Sequence, residues 1–422
     1  MIGSLLVGLT AVFLAMQSEY ASKLNKLLFA TNSLVPLLLM PAGFAAIAFF
    51  STRYFNGTAG SGIPQTIAAL NEPRAGKRRD LLSLHIAVGK VILTLASIAV
   101  GASVGREGPT VQIGASIMHF FYGHGPFRSP AHRRALILAG GAAGVAAAFN
   151  TPLAGIMFAI EELSKKHVFN ANTPTIVTVV FSGLISLFLL GSYTYFGFTA
   201  ATLDLATEGA AILVCGAAGG VAGAAFSRAM IAGTTLLPSR TDQKSRLLLI
   251  AALGGSAVAV IGLMTDGVIF GTGYEVTRAA LEGREELPWY FGIAKLAATL
   301  LSTLSGIPGG IFAPSLAVGA GLGENVASFL PTIAPHSAVI VLTMAAYLAG
   351  VTREPMTSFV IMMEMTSSHH MLLPLMATTV VATGASRLVC PAPLYQTLAD
   401  RFMGPAVDVA GLPDNAKNLQ TK

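Results

Sequence analysis

The sequence predicts an all-α, polytopic membrane protein built from broken and re-entrant helices, on three observations. Of 422 residues, 53% are hydrophobic and 11% charged, with a mean hydropathy of +0.68, whereas soluble domains carry about 25% charged residues. Apolar stretches recur along the whole chain, some shorter than the roughly 20 residues of a spanning helix and others long enough for a hairpin. Forty-five glycines and 21 prolines punctuate them. Backbone breaks at membrane depth are tolerated only where protein or water covers the freed polar groups.

Residues 1–16 form the first apolar stretch. They resemble a signal-peptide core but lack a charged n-region and run into an amphipathic continuation, so a retained first helix is expected. Stretches 31–50 and 81–104 follow, with two features between them. GTAGSGIPQ (57–65) sets Ser61 before Gly62 and Pro64, the mark of a helix start with a hydroxyl near free N–H groups. NEPRAGKRRD (71–80) holds Arg74, Lys77, Arg78 and Arg79 and reads as cytoplasmic. Next comes GASVGREGPTVQIGA (101–115), with Arg106 and Glu107 among Gly101, Gly105, Gly108 and Pro109. A carboxylate in hydrocarbon must be paired, protonated or facing water, so its default reading is functional. A helix that starts there offers free N–H groups and the positive end of its dipole to an anion.

The basic loop Arg128–Arg134 fits the cytoplasmic side, as do Lys165 and Lys166 between stretches 135–160 and 173–198. Stretches 208–235, 247–271, 288–303, 315–330, 336–351 and 355–389 complete the series, with Pro238–Arg246 and Glu282–Pro288 as extramembrane loops. SGIPGGIFAP (305–314) repeats the letters SGIP and supplies Gly309 and Gly310 before Ile311 and Phe312, a third glycine-and-proline helix start. PAPLYQTLADRF, after Cys390, puts Tyr395 on a helix start or turn. One transmembrane transport domain is expected over 1–405, in halves of roughly 1–200 and 201–405, and the polar tail 406–422 is too short for a second soluble domain.

The halves contain an internal repeat. AAGVAAAFNTPLAGIMFAIEEL (143–164) resembles AAYLAGVTREPMTSFVIMMEMT (345–366), so that Pro152 matches Pro355 and Glu161 matches Glu364, both 203 residues apart. Pro109 of GREGP and Pro314 of GIFAP lie 205 apart. Paired interrupted segments of this kind mark the ligand site in transporters built from repeats, and a site at the repeat interface is expected. The net charge of +6 is explained by membrane topology rather than by nucleic acid. Cys215 and Cys390 are too few for a disulfide framework or metal cluster and read as core residues. No metal and no cofactor are expected.

GSGIP, GREGPTVQIG and GGIFAP in this order, with a late PLY, resemble the CLC chloride channel and transporter family from about Val7 to Phe402. The resemblance implies a homodimer in the lipid bilayer with one anion pathway per subunit, each subunit made of two inverted halves. It implies the bacterial, proton-coupled type, multi-pass in the inner membrane and without C-terminal regulatory domains. Carried onto this chain, the anion is held by the hydroxyls of Ser61 and Tyr395, the amides of Glu107 and Gly108, and those of Ile311 and Phe312. Glu107 matches the gating glutamate, whose carboxylate competes with the anion until protonated. Glu162, beside Glu161 in AIEEL, matches the acid that passes protons to the gate; channel members commonly lack it. Ser61 departs from the fluoride- and nitrate-selective patterns.

Three positions depart from the family. Gln65 and Ile67 stand where some transporters carry acids, which changes the surroundings of Glu162. Glu354 lies between Arg353 and Pro355, where a small residue is common; it either caps a helix and pairs with Arg353 or tunes the pathway.

Taken singly, the same residues have plainer readings. Glu107 can pair with Arg106 in a buried network, Glu162 with Lys165 or Lys166 at a helix end, and Ser61 and Tyr395 can serve as a cap and an interface aromatic. Lys90 is either a buried cation that raises the anion potential or a side chain snorkelling to the interface. His85, His369 and His370 have no ligand cluster around them. An intramembrane hydrolase is disfavoured, because no GxSxG surrounds Ser61 and no His–Asp pattern points to it. Two transport readings remain: exchange of chloride for protons, and a passive chloride channel with the same pore.

Overall fold

The computed structural model describes residues 1–125, 127–165, 173–191, 195–197, 199, 201–236 and 244–403. Lys166, residues 238–243 of the Pro238–Arg246 loop and the tail 406–422 lie outside the described residues. The first half runs α1 (Ile2–Thr31), α2 (Val35–Arg53), α3 (Ile63–Asn71), α4 (Ala75–Leu81), α5 (Leu84–Ala99), α6 (Glu107–Phe120), α7 (Pro130–Phe149), α8 (Pro152–Phe158), continued by a π turn over Ala159–Leu163, and α9 (Thr173–Leu190). After the short α10 (Leu205–Glu208), the second half runs α11 (Ala210–Leu236), α12 (Lys244–Met264), α13 (Tyr274–Leu281), α14 (Phe291–Leu304), α15 (Phe312–Phe329), α16 (His336–Thr352), α17 (Pro355–Thr366), α18 (Leu372–Val389) and α19 (Leu394–Asp400).

Among the described residues, six spans are long and apolar enough to cross a membrane: Ile2–Thr31, Val35–Arg53, Ala75–Ala99, Ala210–Leu236, Ser245–Met264 and His369–Val389. Several of the other apolar stretches are broken into shorter helices by the sequence. Stretch 135–160 folds as a hairpin, turning at Asn150 in the left-handed region (φ 58°) with Pro152 at the start of α8. Its repeat does the same at Arg353 (φ 60°) and Pro355. Stretch 355–389 breaks again at Ser367 (φ 51°) to give α17 and α18. Arg246 is helical, inside α12, whereas Glu282–Pro288 is a loop as expected.

The halves interlock with reciprocal contacts. Glu161, in the π turn after α8, accepts from the amides of Met356 and Thr357 at the start of α17 (3.1 and 2.7 Å). Glu364, near the end of α17, accepts from those of Leu153 and Ala154 at the start of α8 (3.2 and 2.8 Å). Each helix therefore begins where its counterpart ends, so equivalent helices run in opposite directions and the repeat is inverted. The glycine breaks are joined in the same way. Gly105 and Gly310 exchange two amide–carbonyl bonds of 2.7 Å, and Gly60 donates to Ile307 and accepts from Gly309 at 3.2 Å. α6 and α15 lie at the centre, buried from Glu107 to Met118 and from Phe312 to Gly321.

Candidate anion and proton site

The starts of α3, α6, α15 and α19 converge on one point. Helix starts leave amide N–H groups without intrahelical partners, and here the dipoles point inward together. Ser61 Oγ and Tyr395 Oη are buried within reach of each other, and no other group partners either of them. Ser61 is therefore no helix cap; Gly62 occupies the N-cap position of α3. Two buried hydroxyls without acceptors are costly in a protein interior, and an anion among them would satisfy both. A Cβ at Gly108 would collide with Ser61 Oγ, which is why the first turn of α6 can lie against that hydroxyl only with glycine there. The ring of Phe312, the first residue of α15, stacks on Tyr395 at 6.1 Å, and Ile311 is the buried N-cap of the same helix.

Glu107 is the first residue of α6 and is 1% exposed. Its carboxyl lies near its own amide and that of Ala313 in α15, so it faces helix-start amides of both halves. Oε1 accepts from the Tyr195 hydroxyl at 3.5 Å, and Oε2 has no partner. A side chain at Gly105 would strike Oε2, so that glycine makes room for the carboxylate. Arg106 turns toward α1, where it donates to the Ala15 carbonyl (2.8 Å) and Ser18 (2.7 Å), with its guanidinium 5.7 Å from the Tyr195 ring centre. It braces α6 and Tyr195 rather than filling the anion cradle. A cavity of about 290 Å³ reaches Arg106 and Tyr195, lined also by Ser18, Asn25, Thr272 and Tyr274 among others. Tyr195 escapes sequence reasoning because it is one of four aromatics between positions 193 and 198, and no motif singles it out among them.

The acids at the other end divide by role. Glu162 is 1% exposed, forms an ion pair with Lys165 and accepts from Gln396 Nε2 at 3.3 Å. Lys165 is itself 28% exposed, so this pair reaches toward water. Glu161 is committed to the start of α17 through its two amide bonds. That removes the capping role from Glu354, which makes no side-chain cap, and Arg353 donates instead to the Pro391 carbonyl at 2.8 Å. Of the two readings of Glu354, cap with Arg353 partner or contributor to the pathway, the first is corrected.

Gln65 is a clip: Oε1 accepts from Gly62 N (3.1 Å), and Nε2 donates to the carbonyls of Gly57 (3.3 Å) and Ala59 (2.5 Å). Ile67 is buried core. Lys90 does not snorkel. It is fully buried and donates to the carbonyls of Thr58 (2.7 Å) and Gly60 (2.6 Å), in the loop that carries Ser61. On the cytoplasmic face assigned from sequence, the Arg78 and Arg133 charges bear on each other, so 71–80 and 128–134 share one side. Outside the spans, Arg74 holds the Glu72 carboxyl below the usual carboxylate range through hydrogen bonds of 2.6 and 2.8 Å, which fastens the turn between α3 and α4.

Residues 43–387 match the family described as "Voltage gated chloride channel". The H(+)/Cl(-) exchange transporter ClcA of Klebsiella pneumoniae subsp. pneumoniae is 31% identical over 381 residues, 86% of this chain and 78% of that protein. The transporter of the same name from Yersinia pestis bv. Antiqua is 30% identical over 406 residues, 92% of this chain and 81% of that protein. The crystal structure of a slow cyanobacterial Cl−/H+ antiporter superposes with a TM-score of 0.78 at 25% identity, covering 95% of this chain and 97% of that one. With its inverted repeats and central helix starts, the chain is a multi-pass membrane protein that belongs to the CLC voltage-gated chloride channel family.

Proposed function

We propose that this chain is a secondary active transporter that exchanges chloride for protons, with Glu107 as both gate and proton acceptor. The observation that carries this reading is the Glu107 carboxyl at helix-start amides of both halves, next to the partnerless hydroxyls of Ser61 and Tyr395. A carboxylate and a chloride ion carry the same charge and seek the same amide donors, so one excludes the other. Protonation removes the charge from Glu107 and its hold on those amides, leaving them to the anion. Dipoles and hydroxyls bind chloride without a full counter-charge, so it is held but can leave. Ser61, Tyr395 and the amides of Glu107, Gly108, Ile311 and Phe312 form the anion site. Glu162, paired with Lys165, whose side chain is partly exposed, receives the proton from the cytoplasm.

The related proteins named as H(+)/Cl(-) exchangers and the presence of Glu162 support exchange over a passive channel. The chain breaks no covalent bond of its substrates, and it acts as a homodimer of single transport domains, each with its own pathway. In liposomes of the purified protein, an imposed chloride gradient is expected to drive protons uphill. Chloride flux without proton movement would leave the passive channel as the surviving reading.

A further inference from the structure

Glu354 is fully buried, and neither of its carboxyl oxygens has a hydrogen-bond partner. An unpaired carboxylate inside a membrane protein is expensive enough to demand an account. Helix capping does not supply one, because the exposed amides of α17 are taken by Glu161. What Glu354 faces is another acid: its carboxyl lies within hydrogen-bonding reach of that of Glu162. Two carboxylates are both acceptors, and only a proton between them makes that contact a bond.

The surrounding charges strengthen the argument. Glu161, Glu162 and Lys165 face Glu354 from the end of the α8 segment, and the Tyr395 hydroxyl lies nearby on α19. Arg353, the neighbour in sequence, is spent on the Pro391 carbonyl. Among the described residues, three acids thus share one lysine, and that lysine is paired with Glu162. The cluster also extends toward the anion site. Glu354 lies near the Tyr395 hydroxyl as well as near Glu162, so it neighbours both the Glu162–Lys165 pair and the anion site.

We propose that Glu354 shares a proton with Glu162 and is a second acidic station on the path from the cytoplasm to Glu107. This inference rests on the exchange reading above. A proton that arrives on Glu162 neutralises it. Transfer to the Glu354 carboxylate makes Glu354 neutral and returns Glu162 to the carboxylate held by Lys165 and Gln396, so the step creates no new charge in the interior. Glu354 then holds the proton beside Tyr395, where the next transfer leads toward the gate. Gln65 and Ile67 offer no ionisable group for this passage, and Glu354 supplies one from the second half of the chain.

The test is simultaneous measurement of proton and chloride fluxes in liposomes for wild type, Glu354→Gln and Glu354→Asp. In Glu354→Gln the proton flux per chloride is expected to fall about 100-fold, the lower end of what a positioned proton-transfer group contributes. Glu354→Asp restores most of it and shifts the cytoplasmic pH profile of proton transport, which a purely structural role would not do. A fall of less than about tenfold in Glu354→Gln overturns the proposal. Wild type that moves chloride but pumps no protons overturns the exchange reading instead, so the two failures are distinguishable. If Glu354→Gln does not fold, infrared spectroscopy on Glu107→Gln decides: with the gate acid removed, a protonated-carboxyl band at neutral pH supports the shared proton, and its absence overturns it.

Discussion

Glu107 and Arg106 are neighbours with opposite tasks. The arginine is anchored on α1 through Ala15 and Ser18, which fixes the approach to α6. The glutamate keeps one oxygen free of partners, as a side chain that must change places with an ion requires. Removing its charge while keeping its shape tests this division. Glu107→Gln is expected to abolish proton coupling while chloride still crosses, read as the loss of uphill proton pumping under a chloride gradient. Coupling that survived would assign the proton to another group. The same residue-scale reading separates the two adjacent glutamates: Glu162 is held by side chains, one of them the partly exposed Lys165, and Glu161 by backbone amides.

At the scale of elements, the decisive feature is where helices begin. α3, α6, α15 and α19 each start in the interior, and their orphan amides become useful because the starts face one another. α8 and α17 also start inside, but their amides are claimed by Glu364 and Glu161. These two acids are expected to matter for stability and not for transport. Glu161→Gln and Glu364→Gln each weaken charge-assisted bonds worth about 1.5–3 kcal/mol, so thermal unfolding in detergent shifts downward in both while the ratio of proton to chloride flux is retained. Loss of coupling in Glu161→Gln would transfer the proton role from Glu162 to its neighbour. The second SGIP (305–308) gives a different lesson: it starts no helix, but ends α14 and pairs with Gly60.

Across the whole molecule, two buried lysines expose how symmetry and function part. Lys90 on α5 donates to Thr58 and Gly60, in the loop before α3. Lys295 on α14 donates to Ile269 (2.8 Å) and Gly271 (2.6 Å), in the loop before α13. Gly62 and Gly273, both left-handed, are the N-caps of those two helices. The first loop presents Ser61 to the anion cradle and the second presents Thr272 to the cavity beside Arg106 and Tyr195. One fold element, repeated and inverted, thus serves two different surfaces. Lys90→Met is expected to weaken chloride binding roughly tenfold, about the worth of one charge-assisted hydrogen bond, whereas Lys295→Met leaves chloride affinity intact although both lose stability. Calorimetric titration with chloride checks this, and equal losses would show that the lysines only hold the fold.

By itself the sequence determined the membrane class, the broken helices, the repeat and, through GSGIP, GREGP, GIFAP and PLY, the residues that gather at the centre. These were legible because glycine, proline and intramembrane charge act locally, and their meaning survives without knowledge of neighbours. The tertiary structure alone decided that Glu161 caps α17 while Glu162 faces Lys165, that Tyr195 touches the gate, that Gln65 is a clip, and that Glu354 meets Glu162. It also decided that the repeat equivalent of Ser61–Gly62 is Thr272–Gly273, whereas the second SGIP pairs with Gly60. The Glu161 contact and its counterpart at Glu364 depend on which atoms an inverted half brings within hydrogen-bonding distance across some two hundred residues of chain. A carboxylate reads the same in sequence whether it meets an amide, an ammonium or another carboxylate, and only the fold chooses among them.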